Sequence, residues 1–289
     1  SSAVKFLSDK KIDGKQFWNS ADIYHFIGKD IVYHHYLFLP AMRIGIHNEY
    51  KLPDYIPTRG HLMLQSKKIS KSRNWYIGLK EFMSSFPADY LRFYLTLITP
   101  YSQDDLNFDW DEFSARINSE LIGNIGNFVN RALGFTNKSL SGIVPETIDF
   151  DSQDNDAQKK IADFKEELTV LMNENSLDKA LKKILEFSAF FNQYFQKKEP
   201  WKGASGSNNC IFISVNAVRS IAIALYPFLP SSSERIWSQL NMEGKIADKN
   251  WNAISEIAIK SGHKIAEPSP LFKKVEQDEI QKLKSKLGA

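Results

Sequence analysis

Lys68-Ile69-Ser70-Lys71-Ser72 is the stretch of this 289-residue chain whose residue types and spacing best suit chemistry. Two ammonium groups three residues apart on a loop can grip triphosphate oxygens. They can also stabilise charge that moves during group transfer. Small serines let the backbone approach and add hydroxyl donors. The plain alternative is a solvated basic turn, which is what most charge runs are. A second combination is Asn127 with Arg131, four apart and so on one helix face. With Glu120 and Asn124 they make a polar stripe, which on its own reads as the wet side of a helix.

These residues need elements to hold them. Ile23 to Ile27 reads as a short buried strand, broken by Gly28-Lys29-Asp30. From Ile31 to Met42, Ile31, His35, Phe38 and Met42 recur at helical spacing. Strand, glycine turn and helix form the connection where open α/β sheets place ligands. Thr58 to Leu64 reads as another strand and leads into the basic loop. Asp89 is expected to cap a helix from Tyr90 to Thr99, stopped by Pro100.

Beyond residue 109 only helices are expected. Asp109 and Glu112 make a capping box. Phe113, Ile117, Leu121, Ile125, Phe128, Ala132 and Phe135 then mark a long amphipathic helix. A second helix carries Ile161, Phe164, Leu168 and Leu171, and a third runs from Ser176 to before Pro200. A fourth follows the apolar run Ile211 to Leu229. Ser214, Asn216, Arg219 and Ser220 interrupt that run, so it reads as a buried helix and not as a membrane span. Ser231 and Glu234 are expected to cap a fifth helix. Gly203 to Asn209 is a loop, and Leu271 to Leu287 a last amphipathic helix. Short connections between long helices imply an antiparallel bundle.

Composition is that of an ordinary globular chain: 43% hydrophobic, 25% charged, net charge +3. That excludes a disordered or fibrous chain. The single cysteine, Cys210, excludes an internal disulfide framework or a cysteine-based zinc site and favours a reducing compartment. No signal peptide pattern is present at the start.

The basic loop resembles the KMSKS signature of class I aminoacyl-tRNA synthetases, with Ile69 in the Met position. Upstream, Tyr24-His25-Phe26-Ile27-Gly28-Lys29-Asp30-Ile31 is similar to a stretch of the methionyl-tRNA synthetase family. Pro40-Ala41-Met42, Leu91-Arg92-Phe93-Tyr94, Asn127 to Arg131 and Pro200-Trp201 fit the same family. They run in order from about residue 20 to the end.

The resemblance implies a methionine–tRNA ligase that uses ATP with Mg2+ as substrate. It activates the L-methionine carboxylate as an adenylate, then transfers the methionyl group to the tRNA 3′ end. Positioning and charge stabilisation supply most of such catalysis. By position, Lys71 and Lys68 are the catalytic pair on the triphosphate, with Ser70 beside them. Gly28 and Asp30 bind the adenosine; otherwise Gly28 is a plain turn and Asp30 a helix N-cap. Ile31 and His35 match the methionine pocket, whereas His34 departs from the usual Phe. Asn127 and Arg131 read the CAU anticodon, and Trp201 stacks on a splayed base or, more plainly, plugs the core. Gly123 stands where the family often has Asn.

The implied architecture is α/β followed by all-α. It comprises the second half of a Rossmann-type catalytic domain at 1–104, an antiparallel helical anticodon-binding bundle at 105–267, and a C-terminal helix at 268–289. Among His25, His34, His35, His47, His61 and His263 no H-x-G-H motif occurs. We therefore expect the C-terminal part of a synthetase, binding tRNA but not catalysing alone. No metal site is expected here, and zinc only in the insertion domain the sequence lacks. A cytoplasmic location, no membrane and no visible C-terminal dimerisation domain complete the expectation. The rivals are a class I synthetase for another amino acid and a non-catalytic tRNA-binding module.

Overall fold

The computed structural model describes residues 2–46, 50–204 and 206–288. His47 lies outside the described residues. The chain divides into two compact units, residues 1–63 with 101–107, and residues 64–100 with 108–289.

The first unit opens with α1 (Ser2–Asp9) and α2 (Gly14–Ser20). Asp13 caps α2, accepting from the Lys15 and Gln16 amides at 3.0 Å. The expected strand at 23–27 shrinks to β1 (Ile27–Gly28), preceded by an isolated bridge between Tyr24 and Tyr55. It pairs in parallel with β2 (Thr58–Arg59), Ile27 opposite Thr58. Nor is it a buried strand, since Tyr24 and Phe26 are exposed. Among the described residues no third strand flanks this pair and no layer covers those rings.

The expected helix at 31–42 is helical but not uniform. A 3-10 turn (Lys29–Ile31) and a π turn (His34–Phe38) lead into α3 (Leu39–Gly45). Its apolar face is uncovered: Ile31, Phe38 and Met42 are all exposed. Thr58 to Leu64 is two strands, not one, because the chain breaks at Gly60 before β3 (Leu62–Leu64). A Cβ at Gly60 would lie 1.8 Å from the Asp104 carbonyl oxygen, so only glycine fits there.

The second unit begins with β4 (Lys67–Lys68), α4 (Leu79–Ser85) and α5 (Ala88–Leu97). β5 (Leu106–Phe108) is the last strand among the described residues. Asp89 does not cap α5; it lies inside the first turn, and Pro87 holds the cap position. Asp109 does cap α6 (Trp110–Arg116), accepting from Asp111 and Glu112 at 2.9 Å. The box is not closed: Glu112 instead accepts from the Tyr94 hydroxyl and Arg116. Phe82, Tyr94, Phe108, Trp110 and Phe113 form an aromatic core with almost no exposure.

α6 continues without a break through a π stretch (Ile117–Gly126) into α7 (Asn127–Leu140). Spacing by four at Phe113, Ile117, Leu121 and Ile125 would drift about 40° per step round a 3.6-residue helix. The wider π turns absorb that drift, and all four side chains are buried. α8 (Ser152–Asn173) and α9 (Leu177–Lys198) follow, joined through Asn175 at φ 57°. Phe164 of α8 stacks on Phe187 of α9 at 3.8 Å.

α10 (Ser207–Leu225) is long and apolar enough to cross a membrane, yet it is buried along its length. It packs against α7, α8, α9 and then α11 (Pro230–Gln239). Cys210 lies in this core as a free thiol, and burial pushes its pKa up to about 12. The expected loop at 203–209 is shorter, since α10 already starts at Ser207. Asn209 is inside it because its side chain reaches Asp154 at 3.0 Å. Asp151 and Asp154 form a capping box for α8. Buried Asp154 also accepts from Lys198 at 2.8 Å and the Tyr194 hydroxyl at 2.7 Å.

Ser231 and Glu234 do not cap α11, whose cap position is Leu229. The last helix is also shorter than expected. Only α12 (Gln277–Lys284) is helical, and residues 270–275 form an extended strap. Side chains satisfy the strap's peptide groups, removing the need for helical bonds. Asn118 pairs with both the N–H and C=O of Val275 at 2.9 Å. The Tyr90 hydroxyl holds Lys273 in the same way at 2.7 and 2.8 Å, and Arg235 donates to the Pro270 and Leu271 carbonyls.

Candidate nucleotide-binding and RNA-binding sites

In the first unit Gly28, Asp30, Ile31 and His35 come together on the β1–turn–helix connection. A Cβ at Gly28 would lie 2.6 Å from Asp30 Oδ1, so the glycine lets the carboxylate fold back over the strand end. Asp30 caps nothing, since Gly28 holds the cap position of the 3-10 turn without a side-chain bond. Asp30 is instead open to solvent, with His61 Nε2 at 3.6 Å. His61 leans equally on Asp105, at 3.7 Å, and Lys29 pairs with Asp105 at 2.8 Å. Those bonds hold the Asp105 carboxyl below its ordinary range. His35 meets His25, Nδ1 to Nδ1, at 2.9 Å. His34 points elsewhere, edge-on to Phe38 at 5.5 Å.

In the second unit the basic loop is a tight turn. Ser70 and Trp75 exchange backbone bonds at 2.8 Å, and Lys71–Arg73 forms a 3-10 turn closed by Asn74 at φ 49°. Trp75 anchors the turn by donating to the Leu64 carbonyl at 2.8 Å, and Lys67 covers its ring at 4.5 Å. Ser70 and Ser72 share a hydroxyl bond at 3.1 Å. Asn74 is tied to the chain's last turn, donating to the Lys286 carbonyl and accepting from the Gly288 amide at 2.9 Å. Lys68 and Lys71 are exposed on this frame. Among the described residues neither has a carboxylate partner. Two unpaired cations on a rigid turn suit polyanion binding.

The same unit places Asn127, Arg131 and Trp201 on one surface. The Arg131 guanidinium lies 5.1 Å from the Phe195 ring and 5.9 Å from the Trp201 ring. Trp201 is 45% exposed on the 3-10 turn Pro200–Lys202, so it is no core plug. Glu199 at φ 42° ends α9 and turns the chain to present it. Arg131, Phe135, Phe195, Trp201 and Pro268 line an open cavity of about 470 Å³. An adjoining one of about 540 Å³ is lined by Gly123, Asn127, Asn130 and Phe272. Gly123 adds no side chain to that lining.

The polar stripe is not simply wet. Glu120 pairs with Arg116 at 2.9 Å, and Asn124 donates to the Leu185 carbonyl at 2.8 Å. Asn127 donates to Asn192 Oδ1 at 2.9 Å, and Arg131 to Gln196 Oε1 at 2.8 Å. Asn192 and Gln196, which bond to Asn127 and Arg131, were missed by the sequence reading. Their signal was there: a polar pair four apart on α9, matching the pair on α7. Among the described residues no group of three or more acidic, histidine or cysteine side chains could hold a metal.

The fold and these motifs are those of a class I aminoacyl-tRNA synthetase. Residues 2–133 match the family model described as tRNA synthetases class I (M), and residues 144–289 the anticodon binding domain of methionyl tRNA ligase. The chain belongs to the methionyl-tRNA synthetase family. It is 40% identical to the methionine–tRNA ligases of Pyrococcus abyssi and Pyrococcus furiosus, over 94% of this chain and 39% of each relative. It therefore spans about two fifths of their length. The structure of Mycobacterium tuberculosis methionyl-tRNA synthetase bound by methionyl-adenylate superposes with a TM-score of 0.80. That match is at 21% identity, covering 92% of this chain and 52% of that one, and it shows the fold.

Proposed function

We propose that this chain supplies the triphosphate loop, part of the methionine and adenosine sites, and the anticodon reader of a methionine–tRNA ligase. The observation carrying this is the pairing of Asn127 and Arg131, held by Asn192 and Gln196, with an exposed Trp201 beside an open cavity. Directed amide and guanidinium groups next to an exposed ring are what unstacked bases require.

In the reaction, the ATP–Mg2+ triphosphate is gripped by Lys68 and Lys71, with Ser70 framing the turn. Charge moves toward pyrophosphate as the methionine carboxylate attacks, and a mobile ammonium meets it there. Gly28 and Asp30 receive the adenosine, the carboxylate accepting from ribose hydroxyls. Ile31 and His35 line the methionine side chain. The functional division follows 1–104, 105–267 and 268–289. The partners are methionine-specific tRNA with a CAU anticodon, L-methionine and ATP, and the location is cytoplasmic. The chain alone binds tRNA without forming the adenylate, because no H-x-G-H motif is present.

Titration of the chain with fluorescent stem-loops tests this reading. A CAU loop is expected to bind more tightly than a scrambled one, and both more weakly as salt rises. Equal affinities would leave only a nonspecific RNA surface.

A further inference from the structure

The connection between α9 and α10 carries Trp201, and both of its ends meet at one buried carboxylate. Lys198, the last residue of α9, donates to Asp154 Oδ1 at 2.8 Å. Asn209, in the first turn of α10, donates to Asp154 Oδ2 at 3.0 Å. Asp154 itself belongs to α8, and its side chain is 1% exposed. The Lys198 ammonium is also held by Asp151 at 2.7 Å, and the lysine side chain is 7% exposed. A Cβ at Gly206 would lie 3.2 Å from that ammonium, so the far end of the connection passes close beside it.

Between these ends the backbone makes a tight excursion. Glu199, Gly203 and Gly206 take positive φ values of 42°, 64° and 90°. The 3-10 turn that presents Trp201 is closed by the Lys202 and Gly203 amides, at 2.9 and 3.2 Å from their acceptors. The ring leans on Phe195 at 6.3 Å and lies 5.9 Å from the Arg131 guanidinium. Charge-assisted bonds in a desolvated site are the strong ones, so the carboxylate holds both ends firmly. We propose that Asp154 and Lys198 are positioning residues for RNA recognition, clasping the ends of this connection so that Trp201 stands beside Arg131 as a preset stacking surface. This rests on the assignment of Trp201 to the RNA site.

A preset ring needs less ordering when a base lands on it, and affinity rises accordingly. Loosening either end of the connection lets the ring move and lowers that gain. Two simpler explanations predict different results. If Lys198 touched a phosphate, its removal would make the salt slope shallower by about one. A buried ammonium acting through the loop leaves the slope unchanged. If only surface charge mattered, removing the Asp151 carboxylate would tighten RNA binding. A loosened clasp weakens it.

Titration of the chain with a CAU stem-loop tests this. Lys198→Met should weaken binding roughly three- to tenfold, with an unchanged salt slope. Asp151→Asn should weaken it roughly two- to threefold. Asn caps a helix as well as Asp does, so this second variant keeps the fold even if Lys198→Met does not. Both losses should vanish in chains that also carry Trp201→Ala, because the clasp acts through that ring. Equal losses with and without Trp201, a shallower salt slope in Lys198→Met, or tighter binding by Asp151→Asn would each overturn the proposal. Hydrogen–deuterium exchange, measured without RNA, should be faster at residues 199–204 in both variants, and unchanged exchange there would also overturn it. If Trp201→Ala alone leaves the affinity unaltered, the RNA reading of this surface falls, while the exchange result still decides whether the clasp holds the loop.

Discussion

The Asp89 carboxylate, buried in the first turn of α5, takes both the amide and the hydroxyl of Ser232 through Oδ2 at 2.7 Å. It is the N-terminal cap of α11, supplied from 143 residues away. Arg92, one turn further along α5, donates to the Phe228 and Pro227 carbonyls at 2.6 and 2.8 Å. Two residues of one helix thus fix the entry to another.

Asp89→Ala should therefore destabilise the chain by about 2–3 kcal/mol, because it leaves a buried amide and hydroxyl without an acceptor. Asp89→Asn keeps an acceptor and should cost less. Urea denaturation followed by circular dichroism checks both; equal stability for all three proteins would remove the capping role.

Trp201→Ala should weaken CAU stem-loop binding by roughly 1–3 kcal/mol, the usual loss for one stacked base. The fold should be unchanged, since the ring is nearly half exposed. Native circular dichroism with unaltered affinity would show that the ring contacts no base.

On the proposed function, Lys71→Ala in a full-length methionine–tRNA ligase that includes these residues should slow adenylate formation on the order of 10²-fold. Methionine affinity should change far less, because the contact is strongest when charge reaches the leaving pyrophosphate. Rapid-quench measurement of the adenylation rate decides it.

The 289 residues by themselves should not support methionine-dependent exchange of pyrophosphate into ATP. The absence of an H-x-G-H among six histidines motivates this expectation. Exchange above background by the purified chain would overturn it.

The cluster of exposed Asp151 with buried Asp154 and Lys198 at the start of α8 predicts an acid limb. Lys198 first, then the Asp154 amide, hold the Asp151 carboxyl below its ordinary range. Burial alone would raise Asp154, but bonds from Lys198, Tyr194 and Asn209 outweigh it and lower the pKa. Carboxyls depressed on folding stabilise fully above their unfolded value of about 3.9. That contribution is lost as pH falls below it, through the lower folded values. Urea stability should drop on acidification below about pH 5, and Lys198→Met should flatten the slope while lowering stability at neutral pH. An unchanged slope in the variant would show that the cluster contributes nothing.

Helices in the second unit were legible because their apolar spacing reports a core that is present in the chain. Phe113, Ile117, Leu121 and Phe128 are buried as their periodicity requires. The π geometry was not legible, since spacing by four fits either helix type until its partners are known. Two of the expected caps failed for a related reason. Asp89 and Ser231 have the right residue types beside helix starts, but the acceptor for α11 comes from a distant segment. In the first unit, Ile23 to Ile27 suggested a buried strand, whereas Tyr24 and Phe26 are exposed. The basic motif at 68–72 stood out by type and spacing, whereas type and spacing alone read the Asn127–Arg131 pair as the wet side of a helix, and the family resemblance singled it out. Asn192 and Gln196 hinted at a polar face by their spacing of four on α9, and the structure pairs that face with Asn127 and Arg131.

The strap at 270–275 is gripped at its peptide groups by Tyr90, Asn118 and Arg235, not recognised through its own side chains at those points. Its spelling is therefore freer than its length. Substitutions at Lys273 leave the grip of Tyr90 intact, because that hydroxyl touches only main-chain atoms there. Deleting one residue would move the peptide at 273 or at 275 off its partner. The segment works as a ruler whose divisions are peptide units, setting how far α12 begins from α11.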